Sequence, residues 1–182
     1  RCDPQCLVGV GTGAEFARHA LDALKLDHVK VEQTELGNHY DPDAKAVRLE
    51  SRLMNGRSLS AVVIAAHEIG HAMQDGMGLP SFRRRLQLAK AGQIIGWIAS
   101  AFLWAAPLLM IAGKAPQALI LNLIGFVGMG LLSILMQITT LPVEFDASFK
   151  RALPLLEHGE FIDRRDMPAA RNLLRAAAYT YV

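Results

Sequence analysis

Two long apolar runs occupy the middle of the chain, and polar segments flank them on both sides. Residues 91–113 and 115–143 carry no charged side chain, and Lys114 alone separates them. A bilayer core about 30 Å thick needs roughly 20 helical residues, so each run is long enough to cross it. The pattern predicts a hairpin of two transmembrane helices. Its spans are expected at about 91–113 and 117–140, with polar parts at 1–90 and 144–182.

The N-terminal polar part shows first a helical pattern and then a strand pattern. Thr12 and Glu15 form a capping box in front of an apolar helix face. Residues 29–49 alternate apolar and polar positions around a turn-rich centre, which predicts a small antiparallel β-sheet. An exposed strand around 45–50 is expected to bind an extended peptide by edge addition.

A very apolar helix follows the sheet. Ser58 is its predicted N-cap, the helix runs from Leu59 to Asp75, and Gly76 takes the C′ position. The stretch AVVIAA within it indicates burial on most sides. After the second apolar run, residues 144–158 also have a helical pattern.

Composition and charge disfavour several classes of protein. The chain has 182 residues, is 52% apolar and 20% charged, and has a formal net charge of +2. These values disfavour a disordered chain and a nucleic-acid partner. The only cysteines, Cys2 and Cys6, are too few for a disulfide-rich domain. The chain does not begin with Met and both ends lack a clear stop, so we expect it to be part of a longer protein.

Basic residues near the apolar runs predict the membrane orientation. Lysine and arginine are enriched in cytoplasmic segments beside membrane spans. Six of them flank the hairpin on one side, against Lys114 at its tip; they are Arg83, Arg84, Arg85, Lys90, Lys150 and Arg151. Both polar parts are therefore expected in the cytoplasm.

The chemistry is concentrated in His67-Glu68-Ile69-Gly70-His71, an H-E-x-x-H motif. Residues four apart share one face of a helix, so both imidazoles can bind one zinc ion. Glu68 is then the predicted general base, which takes a proton as zinc-activated water attacks a carbonyl. Gly70 leaves space for a close neighbour.

A catalytic zinc site needs a third protein ligand besides the two histidines. Five residues are candidates on residue type: His39, Asp41, Glu144, Asp146 and His158. Glu144 is favoured because it follows the second span on the same predicted membrane side as the motif. As an alternative role, Glu144 could be an acidic helix cap.

The chain resembles the YugP-type family of neutral zinc metallopeptidases of bacterial membranes. The resemblance rests on four stretches: residues 38–42 (NHYDP), 58–74 (SLSAVVIAAHEIGHAMQ), 141–148 (LPVEFDAS) and 176–182 (AAAYTYV). It implies a zincin-like helix, further spans beyond both ends of this chain, and a peptide or protein substrate. More distantly, the chain is similar to membrane proteases for prenylated and heat-shock substrates. In those enzymes an aspartate that supports a ligand histidine stands where this chain has Ser148.

These patterns together predict a mostly α-helical membrane protein with a zincin-like helix, a small antiparallel sheet and a transmembrane hairpin. We expect a multi-pass zinc endopeptidase of the bacterial cytoplasmic membrane, with one zinc ion and its active site facing the cytoplasm. His39 is a candidate for contact with substrate or transition state, and Tyr181 a weaker one. The alternatives are a non-catalytic zinc-binding scaffold or adaptor, and a metallo-amidase acting on small molecules.

Overall fold

The computed structural model describes residues 11–113, 115–159 and 161–180. Cys2, Cys6, Lys114 and Tyr181 lie outside the described residues. The helices are α1 (Gly13–Ala23), α2 (Ser51–Met54), α3 (Leu59–Gly76), α4 (Pro80–Ile111), α5 (Ala115–Phe145), α6 (Leu153–His158) and α7 (Met167–Thr180), with a π-helix at Asp146–Ala152. The strands are β1 (Lys30–Thr34), β2 (His39–Asp41) and β3 (Ala46–Glu50).

The small sheet is present, but it is mixed and not antiparallel as predicted. The strand order is β1-β3-β2, with β1 parallel and β2 antiparallel to β3. β3 takes the centre because Ala46, Val47 and Leu49 make it the most deeply buried strand. Arg48 of β3 pairs with Glu32 of β1 and Asp41 of β2. The expectation of peptide addition at residues 45–50 is therefore wrong, since β3 is paired on both sides.

Helix α3 forms the centre of the first compact unit, which joins the described residues up to Phe82 to those from Leu141 onward. Ser58 caps it as predicted, accepting a hydrogen bond from the Ala61 amide. The helix packs against α1, α7, β3 and the π-helix. Its apolar residues are buried on all these sides, which is why the sequence lacks a polar face from Ala61 to Ala66.

The C-terminal end of α3 differs slightly from the prediction. The helix continues to Gly76, and Met77 is its C-cap. Gly78 has a φ of +64°, so this glycine and not Gly76 supplies the left-handed conformation that ends the helix. The Leu79 amide then donates to the Gln74 carbonyl oxygen at 3.0 Å.

The second compact unit, Arg83–Thr140, contains the apolar parts of α4 and α5. Both helices are long and apolar enough to cross a membrane, with mean hydropathies of 1.4 and 2.3 in their most apolar windows. No residue in those windows is buried within the described structure. Trp97, Trp104 and Phe126 are 76%, 81% and 79% exposed. The outward faces of this unit are therefore apolar.

Candidate metal centre

Three buried side chains meet in the first compact unit. His67 and His71 lie one turn apart on α3, with ring centroids 4.9 Å apart. Glu144, in the last turn of α5, reaches both of them. Its Oε2 is 3.2 Å from His67 Nε2 and 3.1 Å from His71 Nε2. The structure thus brings together the two motif histidines and the favoured third candidate.

The donor set and its spacing fit zinc. Two imidazole nitrogens and one carboxylate oxygen are ligands that zinc takes in catalytic sites. Bonds of about 2.0–2.1 Å in a tetrahedral site set ligand atoms roughly 3.3 Å apart, close to the two separations observed here. Among the described residues, His67, His71 and Glu144 are the group of histidine, cysteine and acidic side chains close enough to hold a metal ion.

The far nitrogens of both histidine rings also have partners. His67 Nδ1 lies 2.9 Å from Ser148 Oγ, and that hydroxyl donates to the Leu174 carbonyl oxygen at 3.3 Å. His71 Nδ1 lies 3.0 Å from Gln74 Oε1. Hydrogen bonds of this kind hold a ligand ring in place and leave its other nitrogen directed at the metal position.

The buried Gln74 carboxamide belongs to a larger network of hydrogen bonds. Its Nε2 donates to the Val143 carbonyl oxygen at 2.8 Å and to Asp146 Oδ2 at 2.9 Å. Arg151 Nε donates to the same Asp146 oxygen at 2.8 Å. The network ties α3 to the end of α5 and to the π-helix, beside Glu144.

Gly70 allows α3 to approach the π-helix closely. A Cβ added at Gly70 would lie 2.5 Å from the carbonyl oxygen of Ala147. That distance is far below van der Waals contact, so only glycine fits without movement of the backbone. The expectation that Gly70 makes room for a neighbour is confirmed. The neighbour is the backbone that carries Ser148.

The C-terminal end of α3 is anchored to the edge strand β2. Tyr40 donates a hydrogen bond from its hydroxyl to Asp75 Oδ2 at 2.7 Å, and Lys45 pairs with the same carboxylate. Burial raises the pKa of Tyr40, and the hydrogen bond to Asp75 raises it further. Tyr40 therefore stays protonated and remains a donor. This contact fixes β2, which also carries His39, against α3.

The remaining candidate ligands make other contacts. His39 Nδ1 lies 2.8 Å from the Gly37 carbonyl oxygen, and Asp41 accepts from Arg48. Asp146 accepts from Gln74 and Arg151. His158 is exposed, with Nδ1 2.8 Å from the Pro154 carbonyl oxygen. None of these four belongs to the cluster of possible metal ligands found among the described residues.

Sequence reasoning missed the role of Gln74 and left that of Ser148 in doubt. Gln74 stands three residues after His71, a spacing that puts it on the same side of the helix. That spacing was the available signal. Ser148 was noted only as a departure from the aspartate of distant relatives, whereas its hydroxyl reaches His67 directly.

Comparison with known proteins agrees with this geometry. The family model described as "Putative neutral zinc metallopeptidase" matches residues 8–182. The chain belongs to the neutral zinc metallopeptidase family. It is 35% identical over 177 residues to the "Putative membrane protease YugP" of Bacillus subtilis (strain 168), which covers 94% of this chain and 73% of that protein. No solved structure matches the chain significantly.

Family membership confirms the resemblance drawn from the sequence motifs. All the residues described at the candidate metal centre lie inside the range matched by the family model. The family description implies a zinc ion, and the His67, His71 and Glu144 side chains form a possible site for it.

Proposed function

We propose that this protein is an integral-membrane zinc endopeptidase in which His67, His71 and Glu144 hold one zinc ion. The observation that carries the proposal is the convergence of three buried ligand atoms with the chemistry and spacing of a catalytic zinc site. Membership of the neutral zinc metallopeptidase family supports it independently. The substrate class is a peptide or protein.

Glu68 is the proposed general base. When bound, zinc supplies Lewis acidity, which acidifies a coordinated water and polarises the scissile carbonyl. The Glu68 carboxylate takes one proton from the attacking water and passes it to the nitrogen of the departing amine, which gives a carboxylic acid and an amine. Glu68 is buried beside His67, where exclusion of bulk water favours this transfer.

His39 is the proposed contact with substrate or transition state from the edge strand β2. Its ring is half-buried, and its Nδ1 is within hydrogen-bonding distance of the Gly37 carbonyl oxygen. With Nδ1 donating to that carbonyl, the ring orientation is fixed. His39→Ala should lower kcat/KM for peptides and leave the zinc content unchanged. Unchanged kcat/KM with a lower Tm would instead assign His39 to stabilising its turn.

The proposed location is the bacterial cytoplasmic membrane, with several spans and the metal centre facing the cytoplasm. The proposed parts are 1–90, the hairpin 91–143, and 144–182. Apolar side chains cover the outward faces of the hairpin helices, and soluble monomers rarely expose an apolar surface of that extent. The six basic residues on one side against Lys114 on the other support the orientation.

The test is Glu68→Gln, measured for zinc content and for hydrolysis of an unfolded protein and of fluorogenic peptides. We expect zinc to be retained and hydrolysis to fall by at least about 10²-fold, because the amide cannot accept the proton. Glu157→Gln is the matched control, since Glu157 is exposed and pairs with Arg171. It should leave both readouts unchanged.

Three outcomes would contradict the proposal. Full proteolysis by Glu68→Gln would remove the general base from the mechanism. A wild-type protein that binds zinc and cleaves no peptide would favour the alternative of a non-catalytic zinc-binding scaffold or adaptor. Cleavage restricted to small amides would favour the metallo-amidase.

A further inference from the structure

We infer that Gln74 and Ser148 are positioning residues that fix the tautomer and orientation of the two ligand histidines through neutral acceptors. The inference rests on the proposed function, because it assigns both histidines to zinc. It concerns the side of each ring that faces away from the metal position. Gln74 acts on His71, and Ser148 acts on His67.

The orientation of the Gln74 carboxamide follows from its three partners. The Val143 carbonyl can only accept, and Asp146 Oδ2 already accepts from Arg151. The NH2 group of Gln74 must therefore face Val143 and Asp146, which turns Oε1 toward His71. Since Oε1 can only accept, His71 Nδ1 must carry the hydrogen in their 3.0 Å contact.

The Ser148 hydroxyl acts in the same way on His67. A serine hydroxyl has a single hydrogen, and its contact at 3.3 Å with the Leu174 carbonyl oxygen uses that hydrogen. The Ser148 oxygen is then the acceptor in the 2.9 Å contact with His67 Nδ1. His67 therefore also carries its hydrogen on Nδ1. His67 and Ser148 are both fully buried, so water does not compete for the hydrogen bond between them.

These assignments prepare the site for a cation. A neutral imidazole with hydrogen on Nδ1 has its lone pair on Nε2, and here both Nε2 atoms lie within 3.2 Å of Glu144 Oε2. Two lone pairs and a carboxylate oxygen repel one another at this distance unless a positive charge lies among them. Neutral acceptors achieve this arrangement without placing another buried negative charge beside Glu144.

The experiment measures zinc affinity by chelator competition in the purified full chain, together with the visible spectrum of the Co²⁺-substituted protein. Gln74→Met removes both the hydrogen-bond donor and the hydrogen-bond acceptor and keeps a side chain of similar size. Ser148→Ala removes only the hydroxyl oxygen. Each should raise the zinc Kd by about 10–100-fold and alter the Co²⁺ spectrum. Ser148→Thr keeps the hydroxyl, so its zinc Kd should stay within a few-fold of the wild-type value.

Ser58→Ala is the control for a purely structural effect. Ser58 caps the same helix but touches neither histidine, so this variant should lower the Tm and leave the zinc Kd unchanged. Wild-type zinc Kd and Co²⁺ spectrum in Gln74→Met and Ser148→Ala would overturn the inference and leave the proposed function intact. If Gln74→Met does not fold, the zinc Kd and the Co²⁺ spectrum of Ser148→Ala and Ser148→Thr test the inference. A wild-type protein that binds no zinc would overturn both proposals.

Discussion

Asp41 holds together the turn that follows the edge strand β2. Its Oδ1 accepts hydrogen bonds from the Asp43 and Ala44 amides, each at 2.9 Å, and its Oδ2 accepts from Arg48 at 2.7 Å. The bond from Ala44 lowers the pKa of Asp41 most, and the Asp43 amide and nearby positive charges add to it, against an opposing effect of burial. The ionised carboxylate is therefore part of the folded state.

Asp41→Asn should lower stability near neutral pH by about 1 kcal/mol, which corresponds to a Tm shift of a few degrees in a chain of this size. Because the folded pKa lies below the ordinary 3.8, the carboxylate stabilises above pH 3.8 and loses this effect as the pH falls through the folded pKa. Thermal unfolding of both proteins in a pH series measures the difference. A Tm gap that does not narrow on acidification would contradict this role.

At the residue scale, the sequence indicated the candidate ligands better than their supporting contacts. The spacing of His67 and His71 implies a shared helix face, and Glu144 stood out by its position after the second span. The spacing of Gln74 and His71 was an available signal for their contact. The other two partners of the amide, Val143 and Asp146, lie about 70 positions away and could not be recognised from spacing. Spacing along one helix predicts neighbours within that helix and gives no information on those distant contacts.

At the element scale, the approach of α3 to the π-helix depends on Gly70. Gly70→Ala should destabilise the fold by about 1–3 kcal/mol and weaken zinc binding, because the new methyl group overlaps the Ala147 carbonyl oxygen. The Tm and the zinc Kd measure the two effects.

Gly125→Ala is the matched control for that change. Gly125 lies inside helix α5, and a Cβ added there meets no atom within 4 Å among the described residues. This substitution should leave the zinc Kd unchanged and raise the Tm slightly, if at all. Equal effects of the two substitutions would refute a specific packing role for Gly70.

Sequence patterns predicted single helices and strands better than the way in which the strands pair. The extent of α3 and its Ser58 cap were predictable, because capping and apolar content are local properties. The sheet was predicted as antiparallel because alternation identifies strands and says nothing of their order. The order of the strands follows from burial, because β3 is the most deeply buried strand and lies between β1 and β2. The π-helix after Glu144 had no recognised local signature.

At the scale of the whole molecule, the proposed topology puts the hairpin tip outside the cell. In a Cys2→Ser/Cys6→Ser background, a membrane-impermeant maleimide should label Pro116→Cys in intact spheroplasts, since Pro116 lies at the tip. Arg84→Cys is the counterpart on the cytoplasmic flank and should react only after permeabilisation. The reverse pattern would invert the orientation, and labelling of both in intact cells would refute the hairpin.

The two candidate spans were the most predictable large feature, because the absence of charge over 53 positions, interrupted once by Lys114, needs no knowledge of tertiary contacts. The unit containing the metal centre was harder. Its core unites residues from both ends of the chain, and no local pattern states which of them meet.

Zinc K-edge X-ray absorption of the purified zinc-loaded chain tests whether His67, His71 and Glu144 hold a zinc ion. We predict four nitrogen or oxygen ligands at about 2.0–2.1 Å, with outer-shell scattering from two imidazoles. The Glu144→Ala variant should hold less zinc. Sulfur ligands at about 2.3 Å, as Cys2 and Cys6 would provide, or a spectrum without imidazole scattering would show that zinc does not bind to His67, His71 and Glu144.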